Sequence, residues 1–301
     1  MEDMQKNRLQ GHLCSLFTIS VWGLTFVSTK VLLRTFTPLE IMIARFGLGF
    51  LVLLLVGHGW LKAQKPIHEV LFALAGLTGV TLYFLMENIA LTYISASLVG
   101  VIVTAAPLFT ALCAAAVLRE KLSRRFFGGF VCAMAGVALV SLAGVTELHF
   151  SPVGALLGVG AALVWGMYSV LVRRLGEMGY RTIPLTCRIF AYGLLFLLVP
   201  ACIEGFPADL APWAEPLHLG NLLFLGLGAS ATCFVTWNRA VSLLGPVGTS
   251  VYIYAQPIVT ILCSAVILHE TMTPVMWLGT ALALGGLILS EHRDKTPPQA
   301  S

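Results

Sequence analysis

The chain has 301 residues, 58% of them hydrophobic and 11% charged, with a formal net charge of +4 and a mean hydropathy of +0.90. A soluble domain of ordinary composition is about 45–50% apolar and about 25% charged, so this balance excludes one and points to a polytopic membrane protein. The small positive excess sits in short segments between apolar runs, where it sets orientation and calls for no nucleic acid or other anionic partner.

The apolar runs predict ten helices, over about 11–32, 38–57, 68–91, 97–117, 125–145, 152–173, 183–202, 218–242, 247–268 and 274–291. Each approaches the roughly 20 residues that cross a hydrocarbon core of about 30 Å. Helices satisfy their own backbone groups there and open strands do not, so the fold class expected is an all-α polytopic membrane protein. The first run follows Met1-Glu2-Asp3-Met4 with no small-residue cleavage site, and no removable signal peptide is expected. The seven cysteines lie mostly inside apolar runs, where a thiol behaves as a small hydrophobe, so neither a disulfide nor a metal site is expected.

The chain repeats itself. Ala105-Ala106-Pro107-Leu108-Phe109-Thr110-Ala111-Leu112-Cys113 returns as Ala255-Gln256-Pro257-Ile258-Val259-Thr260-Ile261-Leu262-Cys263, and Glu120 returns as Glu270, all at an offset of 150 residues. The same offset carries Asn88 onto Asn238, Gly129 onto Gly279 and Gly136 onto Gly286. Upstream the offset is 143, carrying Trp22-Gly23 onto Trp165-Gly166 and Arg45 onto Arg188, which places an insertion within 204–216. The expected units are therefore residues 1–150 (helices one to five), residues 151–292 (helices six to ten) and a polar, Pro-rich, disordered cytoplasmic tail over 293–301.

Five helices per unit is an odd number, so the second copy must enter the membrane from the opposite side as an inverted repeat. Charge tests this independently, because Lys and Arg gather in cytoplasmic loops. With the N-terminus inside, fourteen basic residues fall on the inner side and only Lys30 and Arg34 on the outer. The segment Arg119 to Arg125 is strongly basic, whereas its counterpart His269 to Val275 holds no Lys or Arg. Both termini are expected in the cytoplasm.

Two five-helix repeats, Trp-Gly in the first helix of each, an Arg early in the second and a Pro-to-Glu helix followed by a Gly-rich one resemble the EamA family of the drug/metabolite transporter superfamily. The resemblance covers roughly residues 10–292. It implies a ten-helix secondary transporter of a bacterial inner membrane, often an exporter of amino acids or other small metabolites, working by alternating access. It also implies that the first, third and fourth helices of each repeat line a central cavity and that the fifth helices are peripheral. The halves differ at Glu87 against Trp237 and at Thr104-Ala105-Ala106 against Tyr254-Ala255-Gln256.

Within that frame the residues sort by chemistry. Pro107 and Pro257 each remove a helical hydrogen bond and free a carbonyl near Val103 and Ile253; each is either a hinge with a ligand contact or a static kink. Glu120 and Glu270, at helix ends beside polar loops, read as structural landmarks. Arg45 and Arg188 fall about seven residues, or roughly 10 Å, into apolar helices. They read as intramembrane structural charges for packing and anchoring, with anion binding as the functional alternative. Glu87 lies inside an apolar run and either serves a proton or a substrate ammonium, or reaches water from near its helix end.

Trp22 and Thr25 share a helical face, and Trp165 with Tyr168 form the matching face of the second half. With Tyr83, Asn88, Thr104, Trp237, Asn238, Tyr252, Tyr254 and Gln256 they suit an aromatic or amphipathic solute; ordinary packing and interfacial belts are the alternative for any one of them. The paired glycines Gly128-Gly129, Gly136 and Gly285-Gly286 read as close helix contacts. No Walker sequence, Cys-x-x-Cys pair, His-Glu-x-x-His or Gly-x-Ser-x-Gly elbow occurs, so neither catalysis nor a cofactor is expected. The function expected is secondary transport of a small organic solute, outward, with a proton as candidate coupling ion. A polytopic enzyme acting on lipid and a receptor without flux are the competing classes.

Overall fold

The computed structural model describes residues 2–57, 60–94, 96–119, 122–143, 151–205, 211–256, 258–259 and 274–291. Glu120, Glu270, the tail from residue 293 and, within the expected span 247–268, Pro257 and residues 260–268 lie outside the described residues. The described chain is helical throughout. In order it forms α1 (Glu2–Leu32), α2 (Pro38–Val56), α3 (Pro66–Tyr93), α4 (Ala96–Val103), α5 (Ala106–Leu118), α6 (Arg124–Ala143), α7 (Pro152–Glu177), α8 (Thr182–Glu204), α9 (Pro216–Leu244), α10 (Pro246–Ser250) and α11 (Pro274–Glu291). A 3₁₀ turn, Ala211–Ala214, precedes α9, and another, Val251–Ala255, continues α10.

Helix starts follow local chemistry. Pro opens α2, α3, α7, α9 and α10, where its missing N–H would have had no intrahelical partner. At α2 the Thr37 hydroxyl accepts from the Glu40 N–H while the Glu40 carboxylate accepts from the Thr37 N–H at 2.5 Å, a reciprocal cap that satisfies two orphan donors.

Six of these helices are long and apolar enough to cross a membrane: α1, α2, α3, α7, α8 and α9. The expected span 97–117 is divided into α4 and α5, with the break at Thr104 and Ala105 just ahead of Pro107. The physical reason is the proline, which cannot bond back to Val103. Two other spans carry wide turns. Leu77–Leu82 within α3 and Phe224–Thr232 within α9 are π-helical, and shifting the first by 150 residues lands it inside the second.

Side chains turned away from the core include Leu55, Leu156 and Ile203, at 77%, 72% and 81% exposure. Such an apolar exterior suits hydrocarbon and not water. Inside, the largest buried cluster centres on Phe234, whose ring lies 5.0 Å from Phe190, 5.8 Å from Trp22 and 6.0 Å from Trp165.

Close helix crossings are made at glycine. A Cβ on Gly286 of α11 would sit 2.6 Å from the Gly129 carbonyl oxygen of α6, and one on Gly136 would sit 2.5 Å from the Gly279 carbonyl oxygen. As one index rises the other falls, so α6 and α11 run antiparallel. Gly285, by contrast, faces open space and Gly128 meets only Leu289, so of the glycine pairs read as contacts one member of each makes the crossing. A second such pairing joins α1 to Val259, where a Cβ on Gly23 would come within 2.8 Å of the Val259 Cβ. Its counterpart joins α7 to α5, where a Cβ on Gly166 would meet the Phe109 carbonyl carbon at 2.8 Å.

Candidate functional site

A cavity with about 410 Å³ of empty volume, its open side included, lies where α1, α2, α3, α4, α7 and the segment after α10 meet. Trp22 and Thr25 enter it from α1, Arg45 from α2, and Tyr83, Phe84 and Glu87 from α3. Val103 closes one side at the end of α4, and Trp165, Ile253 and Gln256 complete the wall. Val103 and Ile253 are repeat counterparts, each four positions ahead of a proline in the sequence; the Ile253 carbonyl accepts from the Gln256 N–H.

The aromatic wall is built edge to face. Trp22 and Trp165, counterparts in the two halves, meet with ring centroids 5.3 Å apart at 79°, and Tyr83 lies 4.7 Å from Trp165. Such tilted pairs suit the ring quadrupoles. The Trp22 indole N–H donates to the Ala229 carbonyl at 2.9 Å, which ties α1 to the π-helical part of α9. That segment frees a carbonyl because its turns are wider than α. The Thr25 hydroxyl donates to its own helix at Trp22 O, 2.7 Å, and so presents its methyl group's side of the helix without a free donor.

The charges are the unusual part. Arg45 is 1% exposed; its Nε donates to Ser230 Oγ at 2.9 Å and its guanidinium lies 4.7 Å from the Phe84 ring centre. Its Nη2 has no hydrogen-bond partner. Glu87 is 6% exposed, close enough to Tyr83 and Arg45 for both to act on its charge, and its Oε2 has no partner either. The buried indole N–H of Trp165 is likewise unmatched. Buried polar groups in native proteins are normally satisfied; these two donors and one acceptor line the cavity, while unmatched atoms on Asn88, Thr110, Arg188, Trp237, Tyr254 and Ser290 belong to residues outside its lining. Among the described residues no group of three or more His, Cys, Asp and Glu side chains is placed to hold a metal ion.

Not every candidate residue reaches the cavity. Tyr168 donates to Asn238 Oδ1 at 2.7 Å and Asn238 donates on to Thr186 at 3.0 Å, a chain that binds α7, α9 and α8 to one another. Trp237 packs behind the wall, 5.1 Å from Trp22, and Asn88 is buried but is not among the lining residues. The Thr104 hydroxyl donates to the Met134 sulfur at 3.2 Å. Tyr252 pairs with His12 Nδ1 at 2.6 Å, and Tyr254 is buried next to Ser290 of α11. Pro107 is buried in the first turn of α5.

The two intramembrane arginines, equivalent in sequence, have different surroundings. Arg188 bonds Glu69 of α3 through both Nε, at 3.2 Å, and Nη2, and Tyr192 donates to the same carboxylate at 2.6 Å. Trp60 and Phe72 flank that guanidinium at 4.9 and 5.4 Å, and it is not among the residues of the cavity. Phe84 is not singled out by the sequence, and Val103 and Ile253 are named there only for their backbone carbonyls, since an aliphatic or phenyl side chain in a membrane helix carries no mark of the side it faces.

Known proteins place this architecture. The model of the EamA-like transporter family matches twice, over residues 9–142 and 152–291. A protein of Streptantibioticus cattleyicolor described as "Probable terminal-alkyne amino-acid exporter" is 28% identical over 282 residues, covering 92% of each chain. Uncharacterized transporters of Archaeoglobus fulgidus and Bacillus subtilis are each 26% identical; the first alignment covers 90% of this chain and 95% of the relative, the second 100% and 97%. A crystal structure superposes with a TM-score of 0.73 at 21% identity, covering 93% of this chain and 97% of its own; at that identity the likeness is one of fold. With two matches of the family model that together cover nearly the whole length, this membrane protein belongs to the EamA-like transporter family.

Proposed function

We propose that the protein is a secondary carrier that exports a small organic solute, an amino acid or related metabolite, by alternating access across the inner membrane. The observation that carries the reading is the mainly apolar, aromatic-walled cavity between two similar halves, with spare hydrogen-bonding groups of Arg45, Glu87 and Trp165 on its lining. The relative described as an amino-acid exporter supports the substrate class. Residues 1–150 and 151–292 are the two repeats and 293–301 a cytoplasmic tail.

Their inversion is supported by the pairing of counterparts. Gly129 meets Gly286 while Gly136 meets Gly279, so each repeat offers the other the same two positions in exchanged order. That exchange is the mark of a two-fold axis crossing an antiparallel pair, and an axis of this kind in the membrane plane relates inverted halves. Gly23 with Val259 and Gly166 with Phe109 repeat the exchange at helices one and four. Rocking one half about such an axis exposes the cavity to each side in turn. Pro107 and Pro257 serve as bending points, and Glu87 as the coupling group for a proton.

Solute counterflow tests the proposal. Proteoliposomes preloaded with an unlabelled L-amino acid mixture should accumulate external labelled L-phenylalanine or L-leucine transiently above equilibrium. Uptake no faster than in protein-free liposomes across the L-amino acids and their simple derivatives would overturn it. A lipid-modifying enzyme or a receptor produces no accelerated exchange.

A further inference from the structure

Arg45 and Arg188 occupy the same place in their repeats, yet the chain has treated them differently. Arg188 holds a carboxylate, Glu69, whose counterpart in the second half is Leu219. Arg45 has a neutral hydroxyl, Ser230, on Nε. Both keep one unpartnered terminal nitrogen, but only that of Arg45 belongs to a side chain lining the cavity. Its guanidinium is held in place by Ser230 and by the Phe84 face, so it cannot swing toward water as a snorkelling arginine would.

Across the same cavity stands Glu87, whose Oε2 is also unpartnered, and whose counterpart is the indole Trp237. The site therefore contains one fixed positive and one negative group, and no second copy of either from the other half. The two charges act on each other across the low-dielectric enclosure, so a ligand carrying a single charge leaves the site with a net charge, whereas a ligand carrying both charges answers both groups and keeps the balance. The unpartnered Trp165 N–H adds a donor on the wall. The rings of Trp22, Tyr83 and Trp165 offer an apolar surface that also tolerates an ammonium.

We propose that Arg45 receives the carboxylate and Glu87 the ammonium of a zwitterionic α-amino acid with an apolar side chain. The pair then acts as a specificity filter against amines, acids, esters and amides that lack one end. The inference rests on the carrier reading for its setting but concerns selection, which is measured separately from flux. The filter works by exclusion as much as by attraction: each truncated analogue leaves the enclosure with an unbalanced charge.

Equilibrium binding of tritiated L-phenylalanine to the full chain in nanodiscs, competed with phenethylamine and with 3-phenylpropionate, tests it. The wild type should need about 10- to 100-fold more of either analogue than of phenylalanine for half-displacement. Arg45→Gln should lose phenylalanine affinity by a similar factor and come to prefer phenethylamine, while Glu87→Gln should shift preference toward 3-phenylpropionate. Arg45→Lys, which keeps the charge, should keep the wild-type order of ligands. Equal weakening toward all three ligands in both variants, with monodisperse elution retained, would assign the pair a packing role and overturn the proposal. So would wild-type binding of either analogue as tight as that of phenylalanine, or no binding of phenylalanine or leucine at all. Charge-dependent binding without exchange in liposomes would sustain the filter and remove the carrier reading; exchange of a singly charged solute alone would do the reverse.

Discussion

A carboxylate inside a membrane helix persists only where something answers its charge. Glu87 is answered by Tyr83 and Arg45 and faces the cavity rather than the aqueous end of α3. If it carries the coupling proton, Glu87→Gln should flatten the pH dependence of exchange in proteoliposomes; an unaltered profile at every pH would take Glu87 out of coupling. Glu69 makes the opposite case, since its carboxylate is engaged by Arg188 and Tyr192 away from the cavity. Glu69→Gln should leave the pH profile alone and lower stability by about 1–3 kcal/mol by weakening the buried guanidinium's partner. The lower end is expected, because the Glu69 side chain is 36% exposed and solvent screens the pair. Thermal unfolding in detergent reads it, and an unchanged midpoint would mean that the pair contributes nothing measurable. Sequence showed that Glu87 and both arginines were unusual and did not single out Glu69. It did not show which arginine had which partner, because Glu69 and Arg188 are 119 residues apart.

At the scale of elements, the glycines on α6 and α11 were legible as contact positions from their type and recurrence, but not individually. Gly285 and Gly286 are adjacent, and only the second has backbone within reach of a Cβ. Gly286→Ala should cost about 1–3 kcal/mol through overpacking against the α6 backbone. Gly285→Ala should be neutral or slightly stabilising, because alanine is the better helix former. Equal midpoints for the two variants would contradict the crossing described here. The breaks inside helices were legible only where proline causes them. The division between α4 and α5 follows from Pro107, whereas the π-helical turns at Leu77–Leu82 and Phe224–Thr232 have no such marker. Gly79 in the first of them meets the Tyr168 ring, so the wide turn coincides with a close approach of α3 to α7.

For the whole molecule, the consequence to test is direction. Inverted halves put the basic turn at 119–125 and its counterpart at 269–275 on opposite faces of the membrane. In a background lacking the seven native cysteines, Ser123→Cys should react with an impermeant maleimide only from the cytoplasmic side and Thr273→Cys only from the outside. Labelling of both from one side would refute the inverted arrangement, and with it the rocking mechanism, while leaving the cavity's residues where they are.

What the sequence determined by itself is the kind of molecule. Composition and run length require a helical membrane protein, and the spacing of Trp-Gly, Arg and Pro in two copies identifies an EamA-like transporter. These are local properties, readable because helical periodicity and hydrophobic length act over a few turns. Tertiary structure alone decided which polar groups share a space. Arg45 and Glu87 meet at the cavity, Arg188 turns to Glu69, and Tyr168 with Asn238 is spent on joining helices. Each outcome depends on the rotation of one helix against another, and that rotation is set by contacts such as Gly129 with Gly286 and Trp22 with Trp165, between residues more than a hundred positions apart.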